Sequence, residues 1–179
     1  MKVTPGRLAG LFVIEPDVYR DERGFFVETF NPVRLAEAGI DVDFVQDNHS
    51  RSALDTIRGL HYQLGAGQAK LLRVARGRIW DVAVDIRRDS PTFGEWEAFV
   101  LDDDANHQVF IPIGFAHGFC ALSELADVCY KVSAPYDPAL ERGVAWDDPR
   151  IGIGWPARAP RLSQRDRANP PLDDAIPLG

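Results

Sequence analysis

The chain has 179 residues, 45% apolar and 26% charged, with 20 Lys+Arg against 27 Asp+Glu for a net charge of −7. These are ordinary globular values and a length suited to one domain over residues 1–179, so disordered, collagen-like and low-complexity readings drop out. No apolar run approaches the ~20 residues of a membrane helix, and so acidic a chain is ill suited to neutralising nucleic-acid phosphates.

In chain order the predicted elements are almost all strands. The first falls at Phe25–Phe30 and is followed by the one good helix, which Asn31 caps, Pro32 opens, Leu35 to Ala38 carry on and Gly39 ends. Apolar and β-branched runs, broken by Gly, Pro, Asp and Asn, then recur at Val42–His49, Thr56–Gln63, Ala69–Ala75 and Arg78–Ile86. Further runs lie at Glu95–Leu101, His107–Ile113, Phe115–Leu122 and Asp127–Ser133. The clearest alternation puts Trp80, Val82, Val84 and Ile86 on one face and Asp81, Ala83 and Asp85 on the other. From Trp146 onward the chain is rich in Pro, Asp and Gly, with room for one or two short helical turns.

Many short strands with little helix between them exclude a βαβ architecture. They predict an all-β jelly roll, a sandwich or closed barrel with a few short helices and a pocket between its sheets. Exposed strand edges and 10% aromatic residues lean toward a homodimer. Cys120 and Cys129 are too few for a disulfide framework and suit a reducing compartment, and Met1–Gly6 has no signal-peptide core, so a cytoplasmic location is expected.

Chemistry-bearing residues break the strand pattern in Arg58-Gly59-Leu60-His61-Tyr62-Gln63, and such violations tend to mark functional sites. His61 is open between a hydrogen-bonded core histidine and a base. The stretch Leu64–Gln68 reads as a turn, and a hairpin centred near Gly65 and Ala66 would set His61 opposite Lys70. That pairing would join a base to an electrostatic stabiliser of a developing oxyanion; otherwise Lys70 is a solvated strand-edge lysine. Tyr130 shares a face with Val128 and Val132, either packing there or pointing its hydroxyl into a pocket as a proton donor. His61 and His117 could begin a metal site, but Gln63 and Lys70 occupy the places where further ligands would be expected, so no metal is expected. Arg23, Arg58 and Arg165 are candidates for gripping a diphosphate, whereas Arg87, Arg88, Arg158 and Arg161 read as solvated surface.

Taken together, the motifs resemble those of the dTDP-4-dehydrorhamnose 3,5-epimerases, in order and over nearly the whole chain, from Gly10 to about Asp166. They are Asp21–Phe26 with Glu28, Gln46–Ser50, Arg58–Gln63, Lys70 with Gly77, Asp81–Arg87, Pro112–Phe119, Tyr130-Lys131, Glu141–Gly143 with Trp146, and Leu162–Asp166. The resemblance implies a cupin-like jelly roll working as a homodimer on a dTDP-sugar, without metal or cofactor. It also implies His61 as base, Asp166 as its orienting partner, Lys70 as stabiliser of the enolate oxygen and Tyr130 as the acid on the opposite face. Arg23, Glu28, Gln46, Asn48, Arg58, His117, Glu141 and Arg165 match positions that contact the nucleotide-sugar, and Tyr136 matches the position that stacks on the base. The approach Ala66-Gly67-Gln68-Ala69-Lys70 departs slightly from the Pro-Gln-Gly-Lys-like family form and leaves every catalytic group in place.

Inversion of carbons 3 and 5 of dTDP-4-keto-6-deoxyglucose is the reading that follows. A monoepimerase acting on one of these carbons would share every residue named, because the outcome depends on how the sugar ring turns in the pocket. A ketoisomerase is a further alternative, disfavoured by His61, Lys70 and Tyr130; so are a metal-dependent cupin oxygenase, disfavoured by Gln63 and Lys70 where ligands would be expected, and a non-catalytic sugar-nucleotide binder, disfavoured by His61, Lys70, Tyr130 and Asp166 together.

Overall fold

The computed structural model describes residues 1–175. Strands β1 (Lys2–Pro5), β2 (Phe12–Glu15), β3 (Val18–Asp21) and β4 (Gly24–Val27) precede helix α1 (Pro32–Glu37). There follow β5 (Gln46–Ala53), β6 (Ile57–Gln63), β7 (Lys70–Arg76), β8 (Arg78–Asp85), β9 (Trp96–Asp102), β10 (Gln108–Ile111), β11 (Phe115–Ala121) and β12 (Leu125–Val132). The short β13 (Glu141–Gly143), helix α2 (Gln164–Arg167) and a 3-10 turn at Leu172–Asp174 complete the described chain, with the last four residues of the acidic tail outside it. No helix among the described residues is long and apolar enough to cross a membrane.

Strand pairing is antiparallel and forms two large sheets. One has the order β1-β2-β10-β7-β12-β5 and the other β13-β6-β11-β8-β9, while β3 and β4 form a separate hairpin. Apolar side chains of both sheets meet in the middle, with Leu72, Val74, Val109 and Val128 from one and Ile79, Ala83, Phe115 and Phe119 from the other. This is the expected all-β, cupin-like jelly roll.

Each sheet also buries part of its outer face. Leu60, Val82, Val84 and Ala116 of the five-stranded sheet are covered by Val144, Ile151, Trp155 and Leu172 from the long C-terminal segment. Leu71 and Phe110 of the other sheet are covered by Leu35 of α1, with Ile40 and Phe44. Two-sided cover explains why β8 is buried on both faces although its sequence alternates.

Helix α1 follows its sequence signals. The Asn31 side chain accepts a hydrogen bond from the Arg34 amide at 3.2 Å, Pro32 takes the first turn, and Gly39 lies beyond the end with φ +90°. The predicted strand at Val42–His49 begins only at Gln46, because Val42 and Phe44 turn onto the cluster around α1 instead of pairing. The strand predicted over Phe25–Phe30 is Gly24–Val27, since Glu28 is held by Asn31 and Arg34 at the helix start. Strands β1, β2, β3 and β13, three or four residues each, escape sequence reading.

The hairpin expected to join His61 and Lys70 does not form. β6 and β7 belong to different sheets, and residues 64–69 cross between them, with Gly65 and Gly67 at φ +70° and +73°. The Leu64 amide donates to the Leu140 carbonyl, which draws the connection away from a tight reversal. Arg87 also differs from expectation. It is half-buried and grips the carboxylate of Asp85 through Nε and Nη2 at 2.9 and 2.6 Å, over the Phe115 ring.

Candidate active site

A cleft of about 370 Å³ opens between the two sheets. Gln46, Asn48 and Ser50 of β5, Lys70 of β7 and Tyr130 of β12 form one wall. Arg58 and His61 of β6, His117 and Phe119 of β11 and Glu141 of β13 form the other, with Tyr136 at the rim.

Local chain chemistry brings the two histidines together. His61 and His117 are directly paired across β6 and β11, so both side chains leave the sheet on one face. The register slips immediately after His117, where Gly59 and Gly118 let the backbones touch. A β-carbon on Gly118 would lie 2.7 Å from the Arg58 carbonyl oxygen, and one on Gly59 would lie 2.6 Å from the Gly118 α-carbon. Only glycine fits either place.

Each histidine has its own carboxylate. His61 Nε2 lies 2.6 Å from Asp166 Oδ1, and His117 Nε2 lies 2.7 Å from Asp81 Oδ2. Asp166 is held by α2, whose N-cap Ser163 accepts a hydrogen bond from the Asp166 amide at 3.0 Å. Burial pushes the Asp166 carboxyl up, but hydrogen bonds and charge from His61, with Ser163 and the Gly59 amide, outweigh it and hold the group below its ordinary value. Asp166 is therefore an anion at neutral pH. An anion on Nε2 fixes the proton there and leaves Nδ1 as the basic nitrogen of His61.

Lys70 is 7% exposed, and its Nζ donates to the His61 carbonyl oxygen at 3.3 Å. Burial lowers its pKa from 10.5 to about 8, against the opposing pull of Glu141 and Asp81. Burial likewise lowers the pKa of His117 and raises that of the Tyr130 phenol. Glu141 pairs with Arg165 at 2.5 Å; burial raises its pKa, but hydrogen bonds from Tyr136 and Arg165 carry it below the ordinary value.

The cleft thus collects His61, Lys70, Tyr130, Gln46, Asn48, Arg58, His117, Tyr136 and Glu141, with Asp166 and Arg165 bonded to members of that set. Gln46 braces the rim by accepting from the Tyr136 amide and donating to Asn48. Arg58 is aimed by Ser52 Oγ and the Arg51 carbonyl. Arg23 and Glu28 lie elsewhere: Arg23 sits on the β3–β4 hairpin, 85% exposed and paired with Asp21, and Glu28 pairs with Arg34. Among the described residues, no group of three or more His, Cys, Asp or Glu side chains is placed to hold a metal ion. Cys120 is buried, Cys129 is half-buried and both are free thiols.

Sequence reading missed Asp81 as a site residue. An aspartate alternating with apolar residues in a strand was the available signal, and burial at 0% exposure gives it weight. Ser50 and Gln68 also line the cleft without having been singled out.

Residues 5–174 match the family model described as dTDP-4-dehydrorhamnose 3,5-epimerase. The chain is 50% identical over 168 residues to the dTDP-4-dehydrorhamnose 3,5-epimerase of Methanothermobacter thermautotrophicus, covering 92% of this chain and 91% of that one. Among solved structures it is similar to the dTDP-6-deoxy-D-glucose-3,5-epimerase of Legionella pneumophila in complex with dTDP-4-keto-L-rhamnose. The TM-score is 0.94 at 45% identity, over 96% of this chain and 93% of that one. It is also similar, with TM-score 0.93 and 40% identity over 97% and 88% of the two chains, to a 4-keto-6-deoxy sugar epimerase from the novobiocin biosynthetic gene cluster of Streptomyces spheroides.

Proposed function

The chain belongs to the dTDP-4-dehydrorhamnose 3,5-epimerase family, and we propose that it inverts carbons 3 and 5 of dTDP-4-keto-6-deoxyglucose through an enolate. The observation that carries this mechanism is the placement of His61 and Tyr130 on opposite walls of one cleft, with the Lys70 ammonium between the sheets. Inversion requires a proton taken from one face of the sugar and returned to the other, and two opposed walls provide the two faces.

The 4-keto group acidifies the hydrogens on carbons 3 and 5. His61 Nδ1 removes one of them, and Asp166 on Nε2 stabilises the imidazolium that forms. Negative charge moves to the keto oxygen, where a buried ammonium is worth more than in water. Tyr130 is protonated at neutral pH, as a phenol ordinarily is, and burial raises its pKa further, so it can deliver the proton from the far side. Each general acid or base supplies ~10²–10⁴-fold. Arg58 and Arg165 flank the cleft as grips for the diphosphate, and the exposed Tyr136 ring offers a stacking surface for the base. The chemistry draws on no metal or cofactor.

The same reading takes the protein as a cytoplasmic homodimer. The β3–β4 hairpin exposes Tyr19, Phe25 and Phe26, an apolar surface that a second copy would cover. Arg23 and Glu28, remote from their own chain's cleft, would then serve the partner's.

The test is proton exchange followed by NMR, with dTDP-4-keto-6-deoxyglucose in heavy water. Deuterium at both carbons with inversion is the expected result. Deuterium at one carbon would make the protein a monoepimerase, and exchange at neither would refute the enolate mechanism.

A further inference from the structure

Gln63, two residues beyond His61 at the end of β6, does not line the cleft and takes no part in the proton transfers above. It is only 6% exposed, and a buried amide is costly unless both of its ends are hydrogen-bonded. In Gln63 both ends are used: Nε2 donates to the Pro135 carbonyl oxygen at 3.2 Å, and Oε1 accepts from the Asp137 amide at 3.2 Å. One side chain thus grips the backbone on either side of Tyr136, and reversing its amide would set oxygen against oxygen.

The rest of the strap from Ala134 to Asp137 is tied by the same chemistry. Gln68 Nε2 donates to the Ala134 carbonyl oxygen at 2.8 Å, and Gln46 Oε1 accepts from the Tyr136 amide at 2.9 Å. Gln46 belongs to the six-stranded sheet and Gln63 to the five-stranded one, so the strap is anchored to both walls of the cleft. Beyond it the Asp137 carbonyl accepts from the amides of Leu140 and Glu141, and Glu141 is the direct cross-strand partner of Gln63. Hydrogen bonds therefore fix the backbone around Tyr136, while its ring stays 50% exposed at the rim.

We propose that Gln63 is a positioning residue for the nucleotide: by gripping the residues before and after Tyr136, it presets that ring to stack on the base of a dTDP-sugar. This role rests on the function proposed above, in which Tyr136 is the stacking surface. A flat, half-exposed ring held in advance leaves less of the strap to be ordered when the ligand arrives, and affinity rises accordingly.

The test is a double-mutant cycle read by calorimetry with dTDP. Gln63→Met keeps the bulk but gives up both hydrogen bonds, and it weakens dTDP binding about fivefold, the order expected when one side chain must be ordered on binding. Tyr136→Ala weakens it about tenfold or more, the range of base stacking on an aromatic ring. The double variant binds dTDP within about twofold of Tyr136→Ala alone, because Gln63 acts through that ring. In turnover, Gln63→Met raises KM in step with the lost affinity and leaves kcat within about twofold of wild type. Hydrogen exchange in the ligand-free proteins checks the grip itself: the Asp137 amide exchanges at least about tenfold faster in Gln63→Met. Unchanged dTDP affinity in Gln63→Met, an equal loss in the Tyr136→Ala background, or unchanged exchange at Asp137 would overturn the assignment. Should Gln63→Met not fold, Gln63→Asn, whose amide is one carbon short of both groups, carries the same expectation. A wild-type protein that binds dTDP and gives this cycle without epimerising would instead refute the proposed function, and the assignment of Gln63 would stand.

Discussion

Replacing Lys70 with methionine should make the protein more stable and inactive. The ammonium is buried, and its pKa falls from 10.5 to about 8 on folding. A base with a depressed folded pKa costs the native state its full penalty below about pH 8, and the penalty fades as pH rises toward 10.5. The difference corresponds to about 3 kcal/mol, and it already includes the attraction of Glu141 and Asp81. Methionine keeps the length of the stem but cannot donate to the His61 carbonyl, a loss of about 1 kcal/mol. The net gain at pH 7 is about 2 kcal/mol, a rise in Tm of about 4–8 °C for a chain of this size. Urea titrations of both proteins at pH 7 and pH 10 measure it. The advantage of Lys70→Met should be full at pH 7 and much reduced at pH 10, while epimerisation falls at least about 10²-fold at neutral pH. A variant no more stable than wild type at pH 7, or an advantage independent of pH, would refute the account of Lys70 as a charge held at a cost for catalysis.

Other variants separate the roles within the cleft. Tyr130→Phe should still exchange substrate hydrogens for deuterium but invert about 10²–10⁴-fold more slowly, so inversion at the wild-type rate would remove Tyr130 as the acid. Asp166→Asn should leave dTDP affinity within a few-fold by calorimetry and reduce kcat by about 10²–10⁴-fold, because the amide cannot stabilise an imidazolium. Gly118→Ala places a methyl group 2.7 Å from the Arg58 carbonyl oxygen, and thermal melting should show a loss of several degrees together with reduced activity. Arg58→Ala should weaken dTDP binding directly. Arg23→Ala should weaken it only at concentrations where the protein is dimeric, which calorimetry across a dilution series resolves.

Much of this was legible in the sequence, for physical reasons that differ by element. The long strands declare themselves through apolar runs broken by turn residues, and α1 through its cap, opening proline and closing glycine. The short strands β1, β2, β3 and β13 do not: three or four residues carry no measurable period, and the equally short β4 and β10 were found only through the longer runs predicted around them. Periodicity also could not say which sheet a strand joins. His61 and Lys70 were expected as neighbours in one hairpin, yet they meet across the sandwich because residues 64–69 change sheets. The expectation of proximity held while its geometric reason failed.

That failure bears directly on the proposed mechanism. Side by side on one sheet, an imidazole and an ammonium would share one wall and reach the substrate from one side. Lodged in opposite sheets, they line one cleft from two sides, and in the proposed mechanism Tyr130, on the strand next to Lys70, reaches the face of the sugar that His61 cannot. In that mechanism the sandwich interior also supplies the low dielectric that strengthens the ammonium, at a cost to stability that burial of Lys70 imposes. In the proposed mechanism the jelly roll would therefore contribute more than a scaffold: two sheets closing on one cleft would oppose acid to base, while burial lowers the pKa of Lys70 and raises that of Tyr130.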